Sequence, residues 1–133
     1  MDIANKLFTI AQNSCKNAYA PYSHFKVGAA LYADNEQIYT GCNVENISFP
    51  CGTCAEANAI AAMVVGGSAK ILEILIYADS IDLITPCGAC LQRIAEFGNN
   101  DTKIYLANAN GIQQTLKLQD LLPHVFQTKE LQK

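Results

Sequence analysis

Cys54-Ala55-Glu56 and, about thirty residues later, Pro86-Cys87-Gly88-Ala89-Cys90 are the two stretches on which the reading of this chain turns. Residues Ala55 to Val65 are rich in alanine, include Ile60 and Met63, and stop at Gly66-Gly67. That pattern predicts a buried helix with Cys54 at its start. The second stretch opens another helix, from near Pro86-Cys87 to about Phe97. Proline suits a first turn, because its missing N–H would be an orphan there in any case. Both cysteine segments therefore fall at helix N-termini, where the positive ends of two dipoles favour thiolate over thiol. Cys87 and Cys90, three apart, share one helical face and can hold one ion together. Glu56 is only two residues from Cys54, which places them on opposite sides of a regular helix, so a target common to both has to lie beyond the helix end, on its axis. Three thiolates suit a tetrahedral zinc whose fourth position is left open to water. Beside it, a carboxylate such as Glu56 can take a proton from that water and pass it to a leaving group.

Outward from these segments, residues 2 to 19 carry Ile3, Leu7, Ile10, Ala11, Cys15 and Ala18 at helical spacing, with Asp2 available as a cap. Ala20-Pro21-Tyr22-Ser23 ends that helix. Lys26 to Tyr32 and Gln37 to Cys42 read as strands around the turn residues Ala33-Asp34-Asn35-Glu36. Asn43 to Thr53 is an irregular loop. Ile71 to Ala78 is a nearly continuous apolar run, expected of a central strand covered on both faces. Lys103 to Ala107 and Ile112 to Leu116 supply two more strands across Asn110-Gly111, and Leu118 to Leu122 adds a last helical turn. The expectation is one domain over residues 1–133, a three-layer α/β/α fold around a mixed sheet of about five strands.

The chain has 133 residues, 50% of them apolar but only 16% charged, against roughly 25% charged in average globular chains. This points to a homo-oligomer whose interfaces hide part of the surface. A net charge of −3 leaves no basic stripe for a phosphate backbone, which argues against nucleic acid. No apolar run approaches the roughly 20 residues of a membrane span. Six cysteines with C-x-x-C spacing and no secretory signal fit metal binding in a reducing compartment, and the expected location is the cytoplasm.

Plainer readings stand beside these. Cys51 could close the site as a fourth ligand and make it purely structural. Cys15 and Cys42 fit buried packing thiols, and neither His24 nor His124 has a spaced partner. By pattern alone, Phe25, Phe49 and Phe126 are half-buried aromatics near loops, and Asn43 and Glu45 are solvated loop residues.

With cysteine in place of histidine, the chain carries the H-x-E and P-C-x-x-C signature of zinc deaminases. Over almost its whole length it resembles the small homotetrameric cytidine deaminases. The matching stretches are Tyr19-Ala20-Pro21-Tyr22-Ser23 with Phe25-Lys26-Val27-Gly28-Ala29-Ala30, then Gly41-Cys42-Asn43-Val44-Glu45-Asn46, the two cysteine segments, and Leu121-Leu122-Pro123. The resemblance implies one Zn2+ per chain on Cys54, Cys87 and Cys90, with Glu56 as the proton shuttle. It implies hydrolysis of cytidine and deoxycytidine to uridine and deoxyuridine plus ammonia, in pyrimidine salvage. It further implies that Asn43 and Glu45 bind the ribose, that the Ala55 backbone and Glu56 meet the pyrimidine edge, and that Phe25 packs on the base. Phe126 would reach a neighbouring subunit's pocket in a homotetramer with shared active sites.

One departure is informative. Many members of that family carry arginine directly after the glutamate or after the last cysteine, where this chain has Ala57 and Leu91. Three thiolates on a dication leave a charge of −1, which weakens the metal as a Lewis acid. Arg93, the only arginine in the chain, lies three residues after Cys90 on the same helical face. It is expected to polarise the thiolates; the competing reading is a surface or interface salt bridge. Other functions also compete, namely a deaminase of another cytosine nucleoside and a zinc module that binds RNA or protein and does no chemistry.

Overall fold

A computed structural model of the chain describes residues 2–126. Five strands form one sheet in the order β2-β1-β3-β4-β5: β1 Val27–Ala33, β2 Ile38–Cys42, β3 Ile71–Ala78, β4 Lys103–Asn108 and β5 Gly111–Lys117. Only β3 and β4 run parallel, so the sheet is mixed. Four α-helices accompany it: α1 Ile3–Lys16, α2 Ala55–Val65, α3 Gly88–Phe97 and α4 Leu118–Leu121.

The alternation of β1 and β3 sorts the core into two halves. Ala30, Leu75 and Tyr77 point to one face and are covered by Leu7, Ala11 and Cys15 of α1. Ala29, Leu31, Ile74 and Ile76 point to the other and pack against Ala59, Ile60 and Met63 of α2 and Leu91 and Ile94 of α3. This is the expected three-layer arrangement.

The helices sit close because two glycines let them. A Cβ on Gly28 would lie 2.1 Å from the Ala11 carbonyl oxygen, and one on Gly41 would lie 2.5 Å from the Ala59 nitrogen. The first contact seats α1 on β1, and the second seats α2 on β2.

Most boundaries follow the sequence. Asp2 caps α1 through its carboxylate, which accepts the Asn5 N–H at 2.8 Å. The helix ends at Lys16, short of the expected residue 19, because the chain turns at Asn17 to let Tyr19 bridge Val44. A backbone pairing across the loop outweighs the helical periodicity of Ala18. At α3 the expectation for Pro86 needs correction. Cys87 is the N-cap, with extended dihedrals, and the helix begins at Gly88, so Pro86 precedes the cap and lies outside the first turn.

The register fixes which ends of the elements meet. Val27 pairs with Ala78, and Gly28 with Cys42. The start of β1 therefore lies beside the ends of β2 and β3. The Phe25 segment, the loop after Cys42 and the loop leading to Cys87 all leave the sheet on this one side.

Candidate active site

Both helices that carry the cysteines begin with an N-cap cysteine in extended conformation, at φ −84° and ψ 162° for Cys54 and φ −69° and ψ 167° for Cys87. Neither side chain makes a capping hydrogen bond. Because Cys54 stands outside the helical spiral, the objection that it and Glu56 face opposite ways does not apply. The cysteine sulfurs of Cys54 and Cys90 and a carboxylate oxygen of Glu56 lie within 4.8 Å of one another.

Loop pairings bring this group beside the polar residues that follow β2. Val44 and Thr53 exchange both backbone hydrogen bonds, at 3.0 and 2.9 Å, which folds the loop so that Glu45 comes beside Gly52, just ahead of the α2 N-terminus. The Asn58 side chain donates to the Cys42 carbonyl at 2.7 Å and ties α2 to the end of β2.

The two thiols, the carboxyl and Arg93 perturb one another's protonation. Cys54 is lowered to about 6, first by the hydrogen bond from the Cys90 thiol and then by first-turn backbone at Ala57 and the charge of Arg93, against the opposing effect of burial. Cys90 is pushed up by sharing that proton, by burial and by the Glu56 charge. Glu56 is only 5% exposed; burial pushes its carboxyl up, with the nearby Cys54 adding to the shift. A buried acid whose pKa is raised is suited to accepting and returning a proton.

Two sulfurs on one tetrahedral zinc stand about 3.7 Å apart for bonds of about 2.3 Å, a spacing the observed cluster accommodates. The donor set fits zinc. The exposed Cys87 thiol stands outside the group of Cys54, Glu56 and Cys90, one helical turn before Cys90. Cys51 lies away from the group as well, its thiol donating to the Ser48 hydroxyl at 3.5 Å.

Arg93 is brought in. Its Nη1 donates to Cys90 Sγ at 3.5 Å and to Cys54 Sγ at 3.7 Å. Asn43 uses its amide on the backbone, accepting from the Val27 N–H at 2.9 Å and donating to the Phe25 carbonyl at 2.8 Å. Glu45 accepts from the N–H groups of Tyr22 and Ser23 at 3.0 and 3.1 Å, and from the Ser23 hydroxyl. The Ser23 hydroxyl bond, more than any other, holds the Glu45 carboxyl below its usual range. A cavity of about 410 Å³ opens here, lined by Tyr22, Ser23, Glu45, Asn46, Phe49 and Gly52. Ala55 is buried as the first residue of α2. Phe25 is partly exposed beside Lys26, Asp79 and Ser80. Phe126 is 59% exposed, and its carbonyl is held by the Gln92 side chain at 2.9 Å.

Ser23 is the residue whose contribution the sequence did not signal. It lies 22 residues from Glu45, and nothing in local pattern links a loop serine to a distant carboxylate.

Residues 1–107 match the model of the cytidine and deoxycytidylate deaminase zinc-binding region. The chain belongs to this family. A cytidine deaminase of Sporosarcina psychrophila is 39% identical over 131 residues, covering 98% of this chain and 96% of that one. The crystal structure of cytidine deaminase from Burkholderia pseudomallei superposes with a TM-score of 0.88 at 36% identity, covering 95% of this chain and all of that one. That of the Mycobacterium tuberculosis cytidine deaminase gives 0.82 at 33%, covering 96% and 99%. As a member of a zinc-binding deaminase family with a Cys-Glu-Cys cluster, this chain is a zinc hydrolase in fold and site chemistry. No helix among the described residues is long and apolar enough to cross a membrane.

Proposed function

We propose that this protein hydrolyses cytidine and deoxycytidine to uridine and deoxyuridine, releasing ammonia. The observation that carries the reading is the meeting of Cys54, Glu56 and Cys90 at two helix N-termini. Cys54 and Cys90 would hold zinc together with Cys87, whose exposed thiol would have to turn in from the N-cap of α3 to join them. Bound there, zinc supplies a Lewis acid that makes water a competent nucleophile at neutral pH. Glu56 accepts a proton as water attacks C4 of the pyrimidine, then delivers protons to ring N3 and to the departing amine. Its burial supports this role, because a carboxyl whose pKa is raised is a better proton acceptor than an ordinary one. The Ala55 backbone at the start of α2 faces the pyrimidine edge, and Phe25 packs on the ring.

The sugar is read by Asn43 and Glu45. With Oδ1 on Val27 and one N–H on Phe25, Asn43 has an N–H donor to spare. Glu45, an anion, can only accept. One donor beside one acceptor complements a single hydroxyl, and the 3′-hydroxyl is the one secondary hydroxyl that cytidine and deoxycytidine share. The pair is therefore indifferent to the 2′ position, which supports both nucleosides as substrates.

The low charge content and the exposure of Ile47, Phe49, Val65 and Ile81 support a homotetramer in which Phe126 completes a neighbour's site. Thiol ligands support a reducing compartment, the cytoplasm.

The test is loss of the cytidine ultraviolet band on mixing with purified protein, beside a zinc assay and a Glu56→Ala control. Rapid loss in wild type alone, with about one zinc per chain, is the expected result. No change in wild-type protein that carries zinc would overturn the substrate assignment.

A further inference from the structure

We propose that Arg93 is a positioning residue of the metal site, a cation that bridges the two helices carrying the thiolates and cancels the surplus negative charge they place around zinc. The inference deepens the zinc-hydrolase reading above and rests on it. Its geometric basis is direct. One nitrogen, Nη1, reaches Cys90 Sγ on its own helix at 3.5 Å and Cys54 Sγ at the start of α2 at 3.7 Å.

Helix geometry explains the reach. Side chains on a helix lean toward its N-terminus, so a residue three positions after Cys90 lies over the turn that contains Cys90. From there the long arginine stem extends past the helix end to the neighbouring N-cap. A salt bridge within the chain finds no support among the described residues, where the one ion pair joins Lys117 to Asp101. The guanidinium has sulfur for partners.

The charge arithmetic gives the contact its purpose. Three thiolates on Zn2+ leave the site at −1, and one guanidinium returns it to zero. Hydrogen bonds from a cation also draw electron density from sulfur, which keeps the metal electrophilic. Arginine suits the task because it stays charged at any working pH and offers several donors in a fixed fork. Two helix dipoles act in the same direction, but they are common to any residue choice at position 93. The arginine is specific to this placement.

The experiment measures zinc affinity by competition with a chromogenic chelator for wild type, Arg93→Lys and Arg93→Gln, with kcat and KM for cytidine alongside. Glutamine keeps a hydrogen-bond donor without the charge, and lysine keeps the charge without the fork. The expected result is a loss of zinc affinity of about 10- to 100-fold for Arg93→Gln, the range typical of groups that support metal ligands. A parallel fall in kcat with little change in KM should accompany it. Arg93→Lys should recover most of both. Zinc affinity in Arg93→Gln equal to wild type would overturn the proposal, and so would Arg93→Lys falling as far as Arg93→Gln. The zinc measurement needs no substrate, so it tests Arg93 even if the wild type left cytidine untouched and the substrate assignment failed.

Discussion

Replacing Gly41 by alanine should push α2 away from β2 and open the metal site from a distance. The added methyl would lie 2.5 Å from the Ala59 nitrogen, 2.7 Å from the Ala55 carbonyl oxygen and 2.9 Å from the Asn58 carbonyl carbon. All three are backbone atoms, so no side chain can rotate aside. Ordinary contact begins near 3.4 Å, and α2 must therefore retreat by about 0.9 Å. Overpacking of this kind costs about 1–3 kcal/mol, a drop of roughly 3–12 °C in Tm for a domain of this size. The functional loss should be larger in proportion. Cys54 and Glu56 ride on α2 while Cys90 rides on α3, and an error near 1 Å in reacting geometry costs on the order of a hundredfold in rate. Differential scanning calorimetry and kcat/KM on cytidine measure the two effects, with Gly88→Ala, where a Cβ meets nothing within 4 Å, as the thermal control. A Gly41→Ala protein melting within about 1 °C of wild type and retaining its kcat/KM would refute the close approach of α2 and β2 as the basis of the site.

Ser23→Ala should raise KM for cytidine several-fold with kcat nearly unchanged, because Glu45 loses the hydroxyl that fixes it while the metal cluster is untouched; an equal fall in kcat would show that Ser23 acts elsewhere. The same logic predicts that 2′,3′-dideoxycytidine is processed at least tenfold less efficiently than deoxycytidine, since a site built to bond a hydroxyl rejects the analogue that lacks it; equal efficiency would remove the single-hydroxyl reading. Cys51→Ser should keep both zinc and activity, since that thiol bonds Ser48 and not the cluster, and loss of zinc would revive a closed four-thiolate site.

Legibility in the sequence followed the range of each interaction. Helix α2 and strand β3 could be delimited to the residue, because their buried faces are written in contiguous apolar runs with glycine or polar stops. Helix α1 overran because its end is set by Tyr19 pairing with Val44, a contact with a residue 25 positions away. Within the site, the residue types announced the metal, and the spacing of Arg93 from Cys90 announced one of its two contacts. What could not be read was how side chains divide their bonds. That Asn43 braces Phe25 and Val27, and that Ser23 clamps Glu45, depends on loops meeting across the sheet end.

The two helix starts show where local stability has been given up for chemistry. An N-cap is normally Ser, Thr, Asp or Asn, whose oxygen satisfies an orphan N–H. Here cysteine occupies that position in both α2 and α3, and neither sulfur makes a cap hydrogen bond. The sulfur is left free for a metal, and each helix forgoes about 1 kcal/mol of capping. The two demands should separate in Cys87→Asp. Without zinc, the aspartate caps α3 and also meets its positive dipole end, so the zinc-free variant should melt about 2–4 °C above zinc-free wild type. With zinc supplied, the order should reverse, because wild type gains the binding free energy of a tight thiolate site that the variant holds only weakly. Thermal melts of both proteins, with chelator and with excess zinc, measure the crossing. A variant that melted below wild type in chelator would mean that Cys87 already supports the helix as well as a true cap does, and the trade between capping and metal binding would not exist.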